Sequence, residues 1–234
     1  MSVPLLDIDG LHAWYGASHV LHGVTLSIGE GEVLALSGRN GSGRSTLAKA
    51  IMGLVRVEGA MRFKGRSIAG MRPFRIARLG VGYVPEQRDI FPTLTVRENL
   101  ILGERSRAVR FTLDDALHVF PVLGERALVK AGALSGGEQQ MLALARTLVG
   151  DPRLVIIDEP AEGLAPQVVT QLAECLATLK QRGVAMLLIE QRMTIARALA
   201  NRVAVMGHGA IVFDGSFDDL ANDERITNDW LSIG

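Results

Sequence analysis

The amino-acid sequence predicts an α/β domain that opens with an antiparallel β layer and carries a helical subdomain inserted into its core. Three patterns lead there. From Leu5 to Ile28 short apolar bursts are separated by turn signals, the style of paired antiparallel strands. Further along, compact apolar runs alternate with helical patterns, which argues for a mostly parallel sheet covered on both faces. From about residue 91 to residue 149 the strand signals disappear and only helical patterns remain. The expected division is an α/β core over 1–90 and 150–234 and a helical subdomain over about 91–149, within one domain of 234 residues.

The elements follow in order. The run 33–38 (VLALSG) reads as a strand, a Gly-rich turn follows, and 45–55 (STLAKAIMGLV) reads as a helix, the strand–loop–helix order of a phosphate-binding unit. A strand-like stretch at 60–68 and a short basic helix at 72–80 lead to an apolar strand at 81–86. Helices are expected at 95–104, 114–128 and 138–149. Then come the buried strand 154–158 (LVIID), a helix over 166–183, the strand 184–190 and a helix over 193–200. A hairpin over 202–215 and a short acidic helix close the chain.

Composition removes several classes of function. Lys plus Arg and Asp plus Glu both number 25, so no global field favours nucleic acid, and no nucleic-acid partner is expected. The single cysteine, Cys175, cannot form an internal disulfide and reads as a small core residue. No apolar run approaches the roughly 18 to 20 residues of a membrane-spanning helix. The first residues lack the basic start and apolar core of a signal peptide, so the chain is expected in the cytosol, reaching membranes only through partners.

Three motifs carry chemistry. Gly38, Arg39, Asn40, Gly41, Ser42, Gly43, Arg44, Ser45 and Thr46 follow the pattern of a P-loop, whose backbone N–H groups wrap phosphates and whose hydroxyl, here Ser45, meets Mg²⁺. The basic position holds Arg44 where lysine is expected; a plain Gly-rich turn is the competing reading. Second, the run 154–160 (LVIIDEP) ends a buried strand in Asp158, placed to hold Mg²⁺, and Glu159, placed to orient or deprotonate water. Capping of the next helix is the alternative. Third, Leu134, Ser135, Gly136, Gly137, Glu138 precede a helix. Ser135 and Glu138 have capping-box spacing, whereas two glycines inside the box are what a phosphate approaching the backbone would require.

The order of these motifs, with LSGGEQQ upstream of DEP and helices filling the gap, resembles the ATP-binding cassette of ABC transporters over essentially the whole chain. The combination of YVPE, IFPTLTVRENL, LSGGEQQMLALAR, DEPAEGLAP and IEQ is most similar to the LivF-type ATPases of branched-chain amino acid importers, and urea and short-amide importers share most of it. The resemblance implies ATP and Mg²⁺ as cofactors and a head-to-tail pair of cassettes in which one chain's P-loop faces the other's Ser135, Gly136 and Gly137. It implies Tyr15 stacked on adenine, although Tyr15 beside Trp14 also reads as a core aromatic, and Gly163 in a loop touching the opposite subunit. Glu86 stands where a γ-phosphate-sensing glutamine is usual, with Gln87 one residue later, and Gln191 stands where a switch histidine is usual. The implied partners are transmembrane permease subunits, a second cassette in a homo- or heterodimer and, indirectly, a periplasmic solute-binding protein. The implied place is the cytoplasmic face of the inner (plasma) membrane, as a peripheral subunit. The competing readings are a soluble ABC ATPase of another process and a cassette that binds nucleotide with little turnover, which Arg44 alone favours.

Overall fold

The structure is a computed structural model and describes residues 3–104 and 111–231. Its centre is a six-stranded sheet built from β3 (Val33–Ser37), β6 (Val81–Val84), β7 (Leu154–Asp158), β8 (Ala185–Ile189), β9 (Arg202–Gly207) and β10 (Ala210–Gly215), in the order β10-β9-β3-β8-β7-β6. Neighbours pair in parallel except β9 and β10, the expected hairpin. Every residue of β3, β7 and β8 is buried, which is why these strands read as continuous apolar runs without alternation.

Period two still sorts the side chains. Val33, Ala35, Val155, Ile157, Met186 and Leu188 face one apolar core, while Leu34, Leu36, Ile156 and Leu187 face the other. The second core is closed by α1 (Arg44–Ile51) and by a four-stranded antiparallel sheet in the order β2-β1-β4-β5. Its strands are β1 (Leu6–Tyr15), β2 (Ser18–Ile28), β4 (Arg56–Phe63) and β5 (Arg66–Ser67). The stretch 60–68 thus joins the N-terminal layer, with Leu6 opposite Phe63 across the ladder.

The first core is closed by α7 (Pro166–Gln181) and by the helices between β6 and β7: α3 (Val96–Ile101), α4 (Leu113–Val119), α5 (Pro121–Glu125) and α6 (Gly136–Val149). Among the described residues this stretch adds no strand to either sheet, an isolated bridge between Thr95 and Lys130 aside. The inserted helices share a core with the sheet: Phe120 and Leu144 lie in one apolar cluster with Val155 and Leu176.

Several expected boundaries move. The 114–128 pattern is two helices, because Pro121 offers no N–H to continue α4 and Phe120 leaves helical geometry at φ −122°, ψ 73°. The first helix stops at Ile51, and Gly53 turns the chain at φ +70°. The 193–200 pattern shrinks to α8 (Ala196–Leu199). The helix expected to begin at Glu138 begins at Gly136, so both glycines lie in its first turn. The basic stretch 72–80 forms α2 (Pro73–Leu79), and the acidic close forms α9 (Phe217–Asn222) and α10 (Glu224–Ile226). Cys175 is half-buried against the first core; its thiol donates to the Val119 carbonyl at 3.2 Å, and burial pushes it up to about 11, the behaviour of an unreactive thiol.

Candidate functional site

The carboxyl ends of parallel strands are where an open α/β sheet receives ligands. Here β3 runs into Gly38–Thr46, β7 into Asp158 and Glu159, β8 into Glu190 and Gln191, and β6 towards Glu86.

At Gly38 the backbone turns with φ +148°, and a Cβ there would run into the Met206 carbonyl and lie 2.8 Å from Ser42 Oγ, so the loop closes only on glycine. The loop opens directly into α1, which has no side-chain cap and no acidic residue in its first turn. By contrast, α3, α4, α6 and α9 each carry a complete capping box. The first N–H groups of α1 therefore stay open to an external acceptor. Ser42 Oγ is buried and has no partner among the described residues. Asn40, Ser42, Arg44, Ser45, Glu86 and Glu159 help enclose a cavity of about 430 Å³. An orphaned hydroxyl, a row of open amides and a guanidinium around a polar cavity fit a polyphosphate.

Ser45 Oγ donates to Asp158 Oδ1 at 3.2 Å, and the Tyr83 hydroxyl donates to Asp158 Oδ2 at 3.4 Å. Burial is the main cause that holds the Asp158 carboxyl above its ordinary range; the Glu86 charge adds to it and the bond from Ser45 opposes it. Burial likewise pushes the Tyr83 hydroxyl up, with the Asp158 charge adding to it. Among the described residues no group of three or more His, Cys, Asp or Glu is placed to hold a metal ion. A hydroxyl and one carboxylate are the donor set that suits Mg²⁺ when phosphate and water complete its shell.

Glu159 has a left-handed backbone at φ +47°, an uncommon conformation for a residue with a side chain; it is held by the hydrogen bond its N–H donates to the Ile189 carbonyl at 2.8 Å. The Arg44 Nη1 donates to Glu159 Oε1 at 2.6 Å and its Nη2 to Asn40 Oδ1 at 3.3 Å. The Gln191 N–H donates to Glu159 Oε2 at 3.2 Å. Burial raises the Glu159 carboxyl above its ordinary range, and the Arg44 charge opposes that rise. Nothing in the sequence spacing announces the Arg44–Glu159 pair, whose members are 115 residues apart. Also unanticipated is Glu190, almost fully buried, whose Oε2 accepts from the N–H groups of Ile195 and Ala196 and so ties down the loop that carries Gln191. Its place in the IEQ run, a carboxylate ending a buried strand, is the one signal that could have found it.

Gly38, Arg39, Asp158 and Tyr15 line neither of the two cavities, and the other expected residues fall into three groups. Asn40, Gly41, Ser42, Gly43, Arg44, Ser45, Thr46, Glu86 and Glu159 share the loop cavity, while Gln87 does not line it. Gln191 and Gly163 line a second cavity of about 800 Å³ on the other side of Glu159. Ser135, Gly136 and Gly137 line neither. Ser135 forms the anticipated capping box with Glu138, whose other oxygen meets Arg126 at 2.8 Å. Gly137 has a packing reason to be glycine: a Cβ there would overlap Val168 of α7. Gly136 instead faces the Arg88 guanidinium. Tyr15 is not a core aromatic; its ring is 44% exposed at the end of β1, 5.9 Å from Lys49 Nζ.

A parallel sheet whose β3 feeds a Gly-rich loop and an uncapped helix, with Asp158 reaching the loop hydroxyl, defines a P-loop nucleotide-binding protein. The chain belongs to the ATP-binding, ATP-hydrolysing subunits of the ABC transporter family, whose sequence model matches residues 21–162. It is 36% identical, over 97% of its length and 99% of the relative's, to the high-affinity branched-chain amino acid transport ATP-binding protein BraG of Pseudomonas aeruginosa. It is 34% identical, over 92% of its length and 72% of the relative's, to the Nod factor export ATP-binding protein I of a Rhizobium species. Among solved structures it superposes on the ADP conformation of MJ1267, an ATP-binding cassette of an ABC transporter, with a TM-score of 0.84 and 25% identity, covering 97% of this chain and 98% of that one.

Proposed function

We propose that this chain energises an importer of branched-chain or related amino acids from the cytoplasmic face of the plasma membrane, as a peripheral subunit. In this reading Glu159 activates the attacking water. The water oxygen bonds to the γ-phosphorus, the bond from that phosphorus to the ADP oxygen breaks, and the proton passes to Glu159. Ser45 and Asp158 hold Mg²⁺, which supplies charge neutralisation at the phosphates. Arg44 and the open amides of α1 bind the β- and γ-phosphates, Tyr15 meets the adenine, and Glu86 and Gln191 sense the γ-phosphate from either side of Glu159. Ser135, Gly136 and Gly137 close on nucleotide held by a second cassette, which fits their position outside the loop cavity.

The observation that carries this reading is the junction of Ser45, Asp158 and Glu159 at the mouth of an uncapped helix. Glu159→Gln tests it. The variant should trap an ATP-bound dimer, visible by gel filtration, with turnover lowered by at least about a hundredfold; near-normal turnover would remove Glu159 from the role of base.

The permease is expected to dock between about Glu86 and Arg97, on a patch of Ile90, Phe91 and Leu94. Phe91 is 49% exposed there, whereas Ile90 and Leu94 are half-buried. The loop is stiff because the buried Asn99 side chain accepts from the Phe91 N–H and donates to the Phe91 and Thr95 carbonyls. Substrate choice and transport direction rest with the permease and solute-binding partners. The similarity to an export ATPase favours a second reading, an exporter subunit. Uptake by the reconstituted transporter that depends on a solute-binding protein decides for import.

A further inference from the structure

Charge is unevenly spread away from the nucleotide site. From residue 59 to residue 85 the chain carries Arg62, Lys64, Arg66, Arg72, Arg75 and Arg78 and no acidic residue, although the whole chain balances 25 basic against 25 acidic. All six are exposed. The fold brings Arg66 from β5 together with Arg75 and Arg78 from α2 around a shallow cavity of about 270 Å³, completed by Met71 and Leu79. Arg66, Arg72 and Arg75 form no ion pair among the described residues. Phe74 projects from the same helix, 48% exposed, with the guanidinium carbons of Arg75 and Arg78 at 5.9 and 5.4 Å from its ring centre. Leu54, also exposed, follows Gly53, which lies against the Met71 backbone.

We propose that this face of α2 and β5 is a binding site for the anionic phospholipid headgroups of the membrane. The guanidinium groups of Arg66, Arg72 and Arg75 present planar forks of donors to phosphate oxygens, the cavity floor is apolar as an amphiphile requires, and Phe74 and Leu54 stand where side chains enter the boundary between headgroup and acyl chain. Nucleic acid fits less well. The ring of Phe74 is flanked by its own arginines, which leaves no bare aromatic platform for a base, and Met71 and Leu79 offer nothing a base edge could bond. The choice of a bilayer as the source of phosphate rests on the proposed membrane-transport reading; the contact itself needs neither nucleotide nor permease.

The test is co-sedimentation of the full chain, without nucleotide, with phosphatidylcholine vesicles and with vesicles containing about one-third phosphatidylglycerol. Binding to the anionic vesicles should be at least about tenfold tighter and should weaken as salt rises. Combining Arg66→Gln, Arg72→Gln and Arg75→Gln should weaken it about a hundredfold, with ATP affinity and thermal midpoint unchanged. If that variant folds poorly, Arg66→Gln on β5 alone should still weaken binding several-fold. Equal binding to both vesicle types, or wild-type binding by these variants, overturns the proposal, as does tighter binding to a single-stranded oligonucleotide than to anionic vesicles at the same salt. A negative vesicle result leaves the ATPase reading standing, and an active Glu159→Gln variant would leave the vesicle result standing.

Discussion

Replacing Arg44 by lysine should speed hydrolysis. The guanidinium uses its two arms on two partners, Glu159 Oε1 at 2.6 Å and Asn40 Oδ1 at 3.3 Å, with Arg44 7% and Glu159 17% exposed. A forked cation can keep one arm on Glu159 while the other meets phosphate, and a base so engaged must give up a charge-assisted hydrogen bond before it can take a proton from water. Such bonds contribute about 1.5 to 3 kcal/mol. An ammonium is a single point charge on a flexible stem and cannot hold both groups with the same fork. Since about 1.4 kcal/mol is a tenfold change in rate, releasing Glu159 should raise the rate by at least about tenfold. ATP affinity should move by less than about threefold, because the positive charge is kept. The assay is single-turnover hydrolysis at the site built from this P-loop in the assembled dimer, with nucleotide affinity measured in parallel. In a heterodimer the same logic makes the site with Arg44 the slower of the two. An unchanged rate in Arg44→Lys would refute it and make the arginine a neutral substitution.

Other consequences are open to direct measurement. Phe91→Glu should leave ATPase activity measurable in the free chain while transport by the assembled complex falls by at least about tenfold, since a charge would have to be buried against the permease; normal transport would place the docking surface elsewhere. Gly137→Ala should destabilise the fold by about 1 to 3 kcal/mol in denaturant titration, because its methyl group meets Val168, and Val168→Ala in the same chain should restore most of the loss. Glu190 is held above the ordinary carboxylate range chiefly by burial. The folded chain therefore keeps its proton over a range where the unfolded chain has lost it, and stability falls as pH rises from the unfolded value near 4.5 towards the folded one. Glu190→Gln keeps an acceptor for the Ile195 and Ala196 N–H groups, so its thermal midpoint relative to wild type should rise as pH increases above the unfolded carboxyl's value near 4.5; a gap independent of pH would count against the assignment.

Much of the chemistry was written locally. The apolar run ending in Asp158, the Gly-rich loop before a helix and the spacing of Ser135 and Glu138 depend on contacts within a few residues, so their periodicity and capping chemistry survive in one dimension. The family, and with it ATP binding, was legible for the same reason: its motifs are short and ordered. Helix ends were less so, although the stop at Pro121 could have been read from the proline itself and the start of α6 at Gly136 from the capping box of Ser135 and Glu138.

What tertiary structure decided are the meetings between distant segments. Only the folded chain brings Arg44 from α1 to Glu159 after β7, joins β4 to β1 across the N-terminal layer, and makes the inserted helices share a core with the parallel sheet. It also turned Tyr15 outward and assigned Glu86, rather than Gln87, to the loop cavity. The physical reason is common to all of these. Periodicity and capping report which way a residue faces relative to its own element, and that is fixed by local backbone geometry. Which partner it meets depends on how elements far apart in the chain pack to bury their apolar faces, and no window of sequence contains both sides of such a contact.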